Sequence, residues 1–189
     1  MEIFSVKNKV IFITGTSRGI GKEVALAFLK LKAIVIGVSR NRKKIIKHKN
    51  YYHLVCDLND HESLSRTTKK AVKIKNKIDV IINNAGITEE TKNDFLRSLK
   101  NFNKTLQINL TAPYVISHLL IDSLKKNKKG GTIINVSSIG GELGFPNNPA
   151  YISSKSGLIG LTKSFARDYG KYNINVNAVL PGYFNTDMN

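Results

Sequence analysis

The sequence contains no tryptophan, a single cysteine and no apolar run long enough to cross a membrane. One cysteine, Cys56, excludes an intrachain disulfide and fits a reducing compartment. The four histidines lack the spacing typical of metal ligands, so we expect no metal site. No signal or transit peptide fits before the first apolar run at Val10. We therefore expect a cytoplasmic protein without a membrane segment.

Acidic residues are also scarce, with 13 Asp and Glu against 30 Lys and Arg and a formal net charge of +17. Such a charge suggests nucleic-acid binding. However, most of these bases are lysines spread along the chain, and no zinc-finger, RNA-recognition or helix-turn-helix pattern accompanies them. We therefore expect no nucleic-acid partner and interpret the lysines mainly as solvated surface. An acidic protein partner could use part of this charge.

Six apolar, β-branched segments alternate with helical patterns over the 189 residues. This alternation is typical of a doubly wound parallel α/β sheet, and we predict one such domain over 1–189. The predicted strands are 9–13, 33–38, 52–56, 78–82, 132–136 and 174–179. Helices are predicted after Gly21 and over 60–75, 95–126 and 151–169. The third of these is expected to be interrupted near Lys100 and perturbed at Pro113, whose ring removes an N–H. Segment 42–50 is at best a two-turn helix, and 139–149 is a loop.

A glycine-rich segment, 14–21, joins the first strand to the first helix. Glycines there let the backbone approach a pyrophosphate at the positive N-terminus of the helix. An ordinary tight turn would also use glycine. Three glycines between a buried strand and a helix start make us prefer a nucleotide site.

The end of the second strand indicates which nucleotide binds. An NAD site places an acid there for the ribose 2′-hydroxyl, whereas an NADP site has a base for the 2′-phosphate. Between Gly21 and Asp57 the only acid is Glu23, which belongs to the first helix. Arg40 follows the second strand, and Arg18 lies in the glycine-rich segment. This pattern favours NADP, bound as NADPH.

Tyr151 and Lys155 are four residues apart, so a helix places them on one face. An ammonium near a phenol lowers its pKa from about 10 toward working pH, which makes Tyr151 a candidate general acid or base. By itself such a pair is more often a solvated helix face. Asn109 is a polar residue within an apolar helix face, so it is either a structural bridge or functional.

Taken together, these motifs resemble those of the short-chain dehydrogenase/reductases, a Rossmann-fold family, along essentially the whole chain. In order they are Thr14-Gly15-x-x-x-Gly19-x-Gly21, Asp57, Asn83-Asn84-Ala85-Gly86, Asn109, Ser138, Tyr151-x-x-x-Lys155 and Pro181-Gly182. The resemblance outweighs the solvated-face interpretation of Tyr151 and Lys155. Family members continue with a lid, a further helix and a seventh strand. We therefore expect this sequence to form six strands without those elements.

The resemblance also implies catalytic roles. Tyr151 would be the general acid in reduction, and Lys155 would lower its pKa and bind the nicotinamide ribose. Ser138 would hold the substrate carbonyl oxygen, and Asn109 would support a water-linked proton path to Lys155. The cofactor would be held by Gly15, Ser17, Arg18, Gly19, Ile20 and Gly21 at the pyrophosphate, Arg40 at the ribose, Asp57 at the adenine, Asn83, Ala85 and Gly86 beside the adenosine, and Pro181, Gly182 and Thr186 near the nicotinamide.

Within the family, the motifs look most like those of 3-oxoacyl-[acyl-carrier-protein] reductases of type II fatty acid synthesis. That resemblance implies an NADPH-dependent enzyme, homotetrameric in the family, acting on a 3-oxoacyl thioester of the acidic acyl carrier protein. Lys128, Lys129 and Lys171 lie on segments that present basic residues to this partner. Two alternatives remain open: a dehydrogenase of sugars or polyols, and a catalytically idle nucleotide-binding module.

Overall fold

Six parallel strands form a single sheet in the computed structural model, which describes residues 5–43, 45–89, 95–127 and 129–183. The strands are β1 (Val10–Thr14), β2 (Ile34–Ser39), β3 (Tyr51–Val55), β4 (Val80–Asn83), β5 (Gly131–Val136) and β6 (Ile174–Val179). Their order across the sheet is β3-β2-β1-β4-β5-β6. The order reverses between β1 and β4, which is where open α/β sheets bind ligands.

Helices connect the strands, and their bounds follow the periodic segments of the sequence. They are α1 (Gly19–Lys30), α2 (His61–Lys75), α3 (Phe95–Leu106), α4 (Ala112–Lys125), α5 (Gly140–Leu143) and α6 (Pro149–Tyr169). Asp60 caps α2, and its carboxylate accepts from the backbone N–H of Glu62 and Ser63. The doubly wound fold predicted from the alternating pattern is confirmed.

Strand alternation divides the apolar core between two faces of the sheet. In β1, Val10 and Phe12 belong to the core beneath α2, α4 and α6, whereas Ile11 and Ile13 belong to the core beneath α1. All four side chains are at most 1% exposed. A strand buried on both faces has to be apolar throughout, which is why β1 shows no polar alternation. The ends of β1 and its neighbours are therefore fixed firmly enough to position a site.

Two connecting segments differ from their predictions. The described residues of 42–50 contain no helix. Instead, buried Ile46 packs against the core beneath α1, and Asn50 accepts a hydrogen bond from the backbone of Val35 at the start of β2. Within the predicted loop 139–149 the structure forms the short helix α5, which ends at Gly144 with a positive φ of 73°.

The long helical segment is also interrupted at a different place from the one predicted. The chain is regular α-helix through Lys100, so the prediction of a break there is wrong. A π-helical turn at Gln107–Thr111 separates α3 from α4, and the N–H of Ala112 bonds to the carbonyl of Gln107, five residues earlier. Pro113 follows directly and offers no N–H to the carbonyl of Asn109. The proline thus perturbs the turn that precedes it.

Membrane-spanning helices and clusters of metal ligands are both absent from the described part of the chain. None of its helices is both long and apolar enough to span a bilayer. None of its His, Cys, Asp and Glu side chains gather in groups of three or more that could hold a metal ion.

Candidate active site

A cleft of about 460 Å³ lies along the carboxyl ends of the central strands. The glycine-rich turn after β1 lines one end of it, and Tyr151 and Lys155 of α6 line the other. The parallel arrangement explains this placement, because the loops that follow β1, β4 and β5 all leave the sheet at the same edge. The cleft is therefore long enough to bring both ends of the predicted site together.

Most of the residues predicted from the sequence line this cleft. They are Gly15, Ser17, Arg18, Gly19, Ile20, Gly21, Arg40, Asp57, Ala85, Gly86, Ser138, Tyr151, Lys155, Pro181 and Gly182. Asn83 and Asn109 are buried behind its wall. Thr186 lies outside the described residues. Asn84, which belongs to the same predicted motif, lines the cleft beside Ala85.

The glycine-rich turn is shaped to leave the start of α1 open. Gly15 and Gly19 have positive φ values of 76° and 54°. A Cβ on Gly21 would lie 2.3 Å from the carbonyl oxygen of Gly15, so the first turn of α1 packs directly on the strand-to-helix loop. No side chain of the described residues caps this helix, and its first turn carries no acid. Its free N–H groups and positive dipole therefore fit a phosphate group facing the cleft.

The loop after β4 is fastened to the glycine-rich turn. Thr14 Oγ1 accepts hydrogen bonds from the backbone N–H of both Asn84 and Ala85, each at 3.0 Å. The Asn84 amide donates to the carbonyl of Thr14 at 2.9 Å. These bonds join the ends of β1 and β4 into one wall of the cleft. A threonine as the last residue of β1 was the signal in the sequence that could have shown this link.

The Asn83 side chain points away from the cleft, although the sequence predicts that this residue binds cofactor. As the last residue of β4 it faces the helices on the opposite side from Asn84, because side chains alternate along a strand. Its amide nitrogen donates to Ser117 Oγ at 3.1 Å and to Asn135 Oδ1 at 2.8 Å. Asn135 in turn donates to Thr162 Oγ1 at 2.9 Å. This buried polar chain connects α4, β4, β5 and α6 beneath the catalytic end of the site.

Lys155 is buried at that end, with only 4% of its surface exposed. Its Nζ donates to the carbonyl oxygen of Val136 at 2.8 Å and lies 5.6 Å from the centroid of the Tyr151 ring. Burial lowers the pKa of Lys155 from 10.5 to about 8, because the charged form loses its hydration. The ammonium is therefore held beside the phenol in an environment where its electrostatic influence is larger than at the surface.

Asn109 belongs to the π-helical turn and is fully buried. Its side chain pairs with the backbone of Ile87 in both directions, accepting from the N–H at 2.9 Å and donating to the carbonyl at 2.8 Å. It also donates to Ser154 Oγ at 3.0 Å, which donates to the carbonyl of Tyr151 at 2.7 Å. These contacts make Asn109 a structural bridge between the loop after β4 and α6, as one of the two interpretations of the sequence predicts. A Cβ on Gly86 would lie 3.4 Å from both Asn109 Oδ1 and Lys155 Nζ, so the two groups also face one small space.

Ser138 marks the substrate end of the cleft. Its Oγ accepts from the N–H of Gly140 at 3.1 Å, which fixes the side chain at the end of β5. The cleft is also lined by Ile87, Ile139, Phe145, Pro146 and Tyr183, together with the hydrogen-bonded polar pair Thr88 and Asn148. The rings of the two aromatic residues lie 6.3 Å apart. A hydroxyl that can hold an oxygen thus lies next to a surface suited to hydrocarbon.

The opposite end is positively charged. Arg18 and Arg40 line it and are exposed. Asp57 is the one carboxylate among the described lining residues, and its Oδ1 accepts from the N–H of Asn59 at 3.0 Å. The arrangement therefore combines an anion site, a long cleft and a phenol–ammonium pair beside a hydroxyl. Such a set can bind a dinucleotide and move a proton to or from a carbonyl oxygen.

Comparisons with known proteins agree with this geometry. The short chain dehydrogenase family profile matches residues 9–189. The 3-oxoacyl-[acyl-carrier-protein] reductase of Rickettsia felis is 36% identical over 191 residues, covering 98% of this chain and 77% of that protein. Ligand-free aldohexose dehydrogenase of Thermoplasma acidophilum is 31% identical with a TM-score of 0.88, over 97% of this chain and 69% of that one.

A second solved structure is 3-ketoacyl-(acyl-carrier-protein) reductase from Brucella melitensis complexed with NADH. It is 26% identical, with a TM-score of 0.91, over 97% of this chain and 79% of that one. Family profile, sequence relatives and fold all lead to the same assignment. The chain belongs to the short chain dehydrogenase family of oxidoreductases.

Proposed function

We propose that this protein is an NADPH-dependent reductase that converts a 3-oxoacyl thioester carried by acyl carrier protein to the 3-hydroxyacyl form. The observation that carries the proposal is the buried Lys155 ammonium beside Tyr151, at the end of the cleft that also holds Ser138. The relatives named as 3-oxoacyl-[acyl-carrier-protein] reductases support the choice of substrate.

In this reaction each of the candidate site residues has a separate role. A reduced nicotinamide, when bound, supplies a hydride to the carbonyl carbon. Ser138 Oγ donates to the carbonyl oxygen and orients it, and Tyr151 gives that oxygen its phenolic proton to complete the alcohol. The charged Lys155 stabilises the phenolate that remains. Asn109 holds the loop after β4 against α6 and supports the return of a proton toward Lys155.

The preference for NADPH rests on this chain's own residues, since a related structure was solved with NADH. Arg40 and Arg18 line the same end of the cleft, where a 2′-phosphate would lie. Asp57, the carboxylate at this end, follows β3 rather than β2, and its Oδ1 accepts from the N–H of Asn59. Arginines suit a phosphate, whereas an acid at the end of β2 would suit the free 2′-hydroxyl.

The acyl substrate is favoured over a sugar by the apolar lining beside Ser138. A polyol offers several hydroxyl groups, and burying them against hydrocarbon leaves hydrogen bonds unmade. Rings such as Phe145 and Tyr183 instead suit a fatty chain.

The surface near β5 and β6 suits an acidic carrier protein. Lys129 and Lys171 are exposed in the turns that precede these neighbouring strands, and the turns touch through a hydrogen bond from Gly131 to the carbonyl of Asn173. Lys128 lies outside the described residues. Charges on one face mainly accelerate encounter with a partner of opposite sign.

The proposal includes a homotetramer. Exposed apolar side chains on α3 and α4 support self-association, since a soluble surface rarely gathers so many. They are Phe95, Leu96, Leu99, Tyr114 and Leu119. Light scattering on the purified protein measures the mass, and a monomer at micromolar concentration would contradict this part of the proposal.

The function is tested with Tyr151→Phe. Reduction of a small 3-oxoacyl thioester by NADPH should fall by about 100-fold or more, because the proton donor is lost. The affinity for NADPH should stay within about twofold, since the hydroxyl acts mainly in proton transfer. Tyr172→Phe is the control, because Tyr172 is exposed outside the cleft. Near-normal turnover by Tyr151→Phe would contradict the proposal.

The same assay separates the alternatives left open by the sequence. Faster oxidation of an aldose than reduction of the thioester by the unmodified protein would favour a sugar dehydrogenase. Nucleotide binding without turnover of any carbonyl would favour the idle module.

A further inference from the structure

Tyr51 crosses from β3 to the glycine-rich turn. Its hydroxyl lies 2.8 Å from Thr16 Oγ1, and both residues are buried, at 3% and 1% exposure. Burial raises the pKa of Tyr51, so the phenol stays neutral and able to donate. Thr16 directly precedes Ser17 and Arg18, which line the cleft. A side chain from a strand far from the catalytic groups therefore holds the turn that faces the phosphates.

Gly37 in β2 makes this contact possible. A Cβ at this position would lie 2.3 Å from the Tyr51 hydroxyl and 2.6 Å from Thr16 Oγ1. Real Cβ contacts are never this short, so any side chain here would push the two hydroxyls apart. The backbone N–H groups of Gly15 and Thr16 add bonds to the carbonyl of Val38, at 2.8 and 3.3 Å. The turn is thus attached to β2 by backbone and to β3 by one side-chain hydrogen bond.

His53 makes a matching contact from the same face of β3. Its ring stacks on that of Tyr51 with centroids 6.3 Å apart. Its Nε2 lies 2.7 Å from the carbonyl oxygen of Asn41, which can only accept, so Nε2 carries the proton. The Asn41 side chain accepts from the N–H of Lys43 at 2.9 Å. The turn that presents Arg40 is therefore closed on itself and supported from β3.

We propose that Tyr51 and His53 are positioning residues for the phosphate-bearing half of the nucleotide, acting through Thr16 and Asn41 on the two loops that carry Arg18 and Arg40. The proposal rests on the NADPH-dependent function proposed above. Neither side chain lines the cleft, so both act on the ligand only through the loops they hold.

The two contacts should have different consequences. The glycine-rich turn faces the pyrophosphate, which NADH and NADPH share, whereas Arg40 faces the 2′-phosphate, which only NADPH has. Tyr51→Phe should weaken binding of both nucleotides by about two- to tenfold, the range expected for one lost hydrogen bond. His53→Leu should weaken the binding of NADPH by a similar factor and leave the affinity for NADH unchanged. His53→Gln, which keeps a donor near Nε2, should restore NADPH affinity.

The experiment measures dissociation constants of NADPH and NADH by fluorescence titration, together with turnover at saturating NADPH. Turnover should be unchanged in all three variants, which a general loss of folded structure would not allow. Thr16→Val removes the same hydrogen bond by deleting the Thr16 hydroxyl, and it replaces Tyr51→Phe in the test if that variant does not fold. Tyr52→Phe is the matched control, since the Tyr52 ring lies under the Lys75 ammonium, away from both loops.

The outcomes distinguish this inference from the function on which it rests. Equal affinities of the unmodified protein for NADPH and NADH would contradict the NADPH preference. With the preference present, unchanged dissociation constants in Tyr51→Phe and His53→Leu would overturn the positioning roles. Equal losses in Tyr52→Phe would overturn them too, as would a fall in turnover without a change in affinity. Absence of binding of either nucleotide would overturn both the function and the inference.

Discussion

Replacing Lys155 with methionine should stabilise the folded protein at neutral pH while removing its activity. Burial lowers the pKa of Lys155 from 10.5 to about 8. Since one pKa unit corresponds to about 1.4 kcal/mol, keeping this ammonium charged in the folded protein costs about 3 kcal/mol. The lost hydrogen bond to the carbonyl of Val136 offsets about 1–2 kcal/mol of the gain. Methionine retains most of the apolar stem, so the variant should gain about 1–2 kcal/mol in free energy of unfolding.

The effect should depend on pH in a defined direction. The folded pKa lies below the unfolded one, so between about pH 8 and 10.5 the unfolded chain binds a proton that the folded chain does not. This contribution to stability is present above 10.5 and is lost as the pH falls through about 8. Lys155→Met has no group at this position that titrates. Its advantage should therefore be full below about pH 8 and shrink by about 2 kcal/mol between about pH 7 and about pH 9.5.

Urea unfolding followed by circular dichroism at several pH values measures both quantities. Lys163→Met is the matched control, because Lys163 lies on the same helix and is exposed. It should show no pH-dependent advantage. A Lys155→Met variant less stable than the unmodified protein at pH 7 would refute the reasoning. An advantage that stays constant as the pH rises would refute it as well, because the gain would then come from packing rather than from removal of a buried charge.

Three further predictions concern function. Arg40→Asp should weaken the binding of NADPH but not that of NADH, as measured by titration with both nucleotides. Equal losses of affinity would mean that Arg40 does not face the 2′-phosphate. Gly86→Ala places a methyl between the buried side chains of Asn109 and Lys155 at ordinary contact distance. It should leave the unfolding midpoint nearly unchanged while lowering turnover about tenfold, if a proton passes through that space; unchanged turnover would argue against the path. Lys129→Glu with Lys171→Glu should raise the Michaelis constant for a carrier-linked substrate but not for a small thioester, and equal effects on both would exclude a docking role. The control reverses the charge of two exposed lysines of α2, Lys69 and Lys70, by replacing both with glutamate.

The fold could be predicted because its signals are local. Strands buried on both faces are continuous apolar runs, and amphipathic helices separate them, so the alternation alone specifies the class. The bounds of β6 were predicted correctly. The bounds of β3 shifted by one residue, because Tyr51 pairs with Val35 and Val55 is the last residue in the ladder. Pairing with the neighbouring strand, which no local propensity records, determines where a strand ends.

The site was predictable where residue type alone determines the chemistry, and less so where orientation matters. Glycines of the turn after β1 and the Tyr151–Lys155 pair line the cleft as expected. For Asn83 and Asn84 the sequence offers two identical side chains in a row. Which of them faces the cleft depends on where β4 stops alternating, and that is set by the register with β5, in which Asn83 pairs with Asn135.

The π-helical turn at Gln107–Thr111 shows why the functional end of the site departs from local rules. Pro113 predicted an irregularity in the helix at its own position. Because a proline leaves unpaired the carbonyl four residues before it, the irregular turn forms around Asn109 instead. That turn brings the Asn109 side chain against Ile87. There it bonds to both the N–H and the carbonyl of the Ile87 backbone, as a neighbouring strand would. The buried ammonium of Lys155 lies across the small space beside Gly86. An irregular helix and a buried charge each reduce stability, and both are held by contacts from several elements. Such costs are expected to gather where a protein needs particular groups in fixed positions, so the positions that break the sequence rules are themselves evidence for the location of the active site.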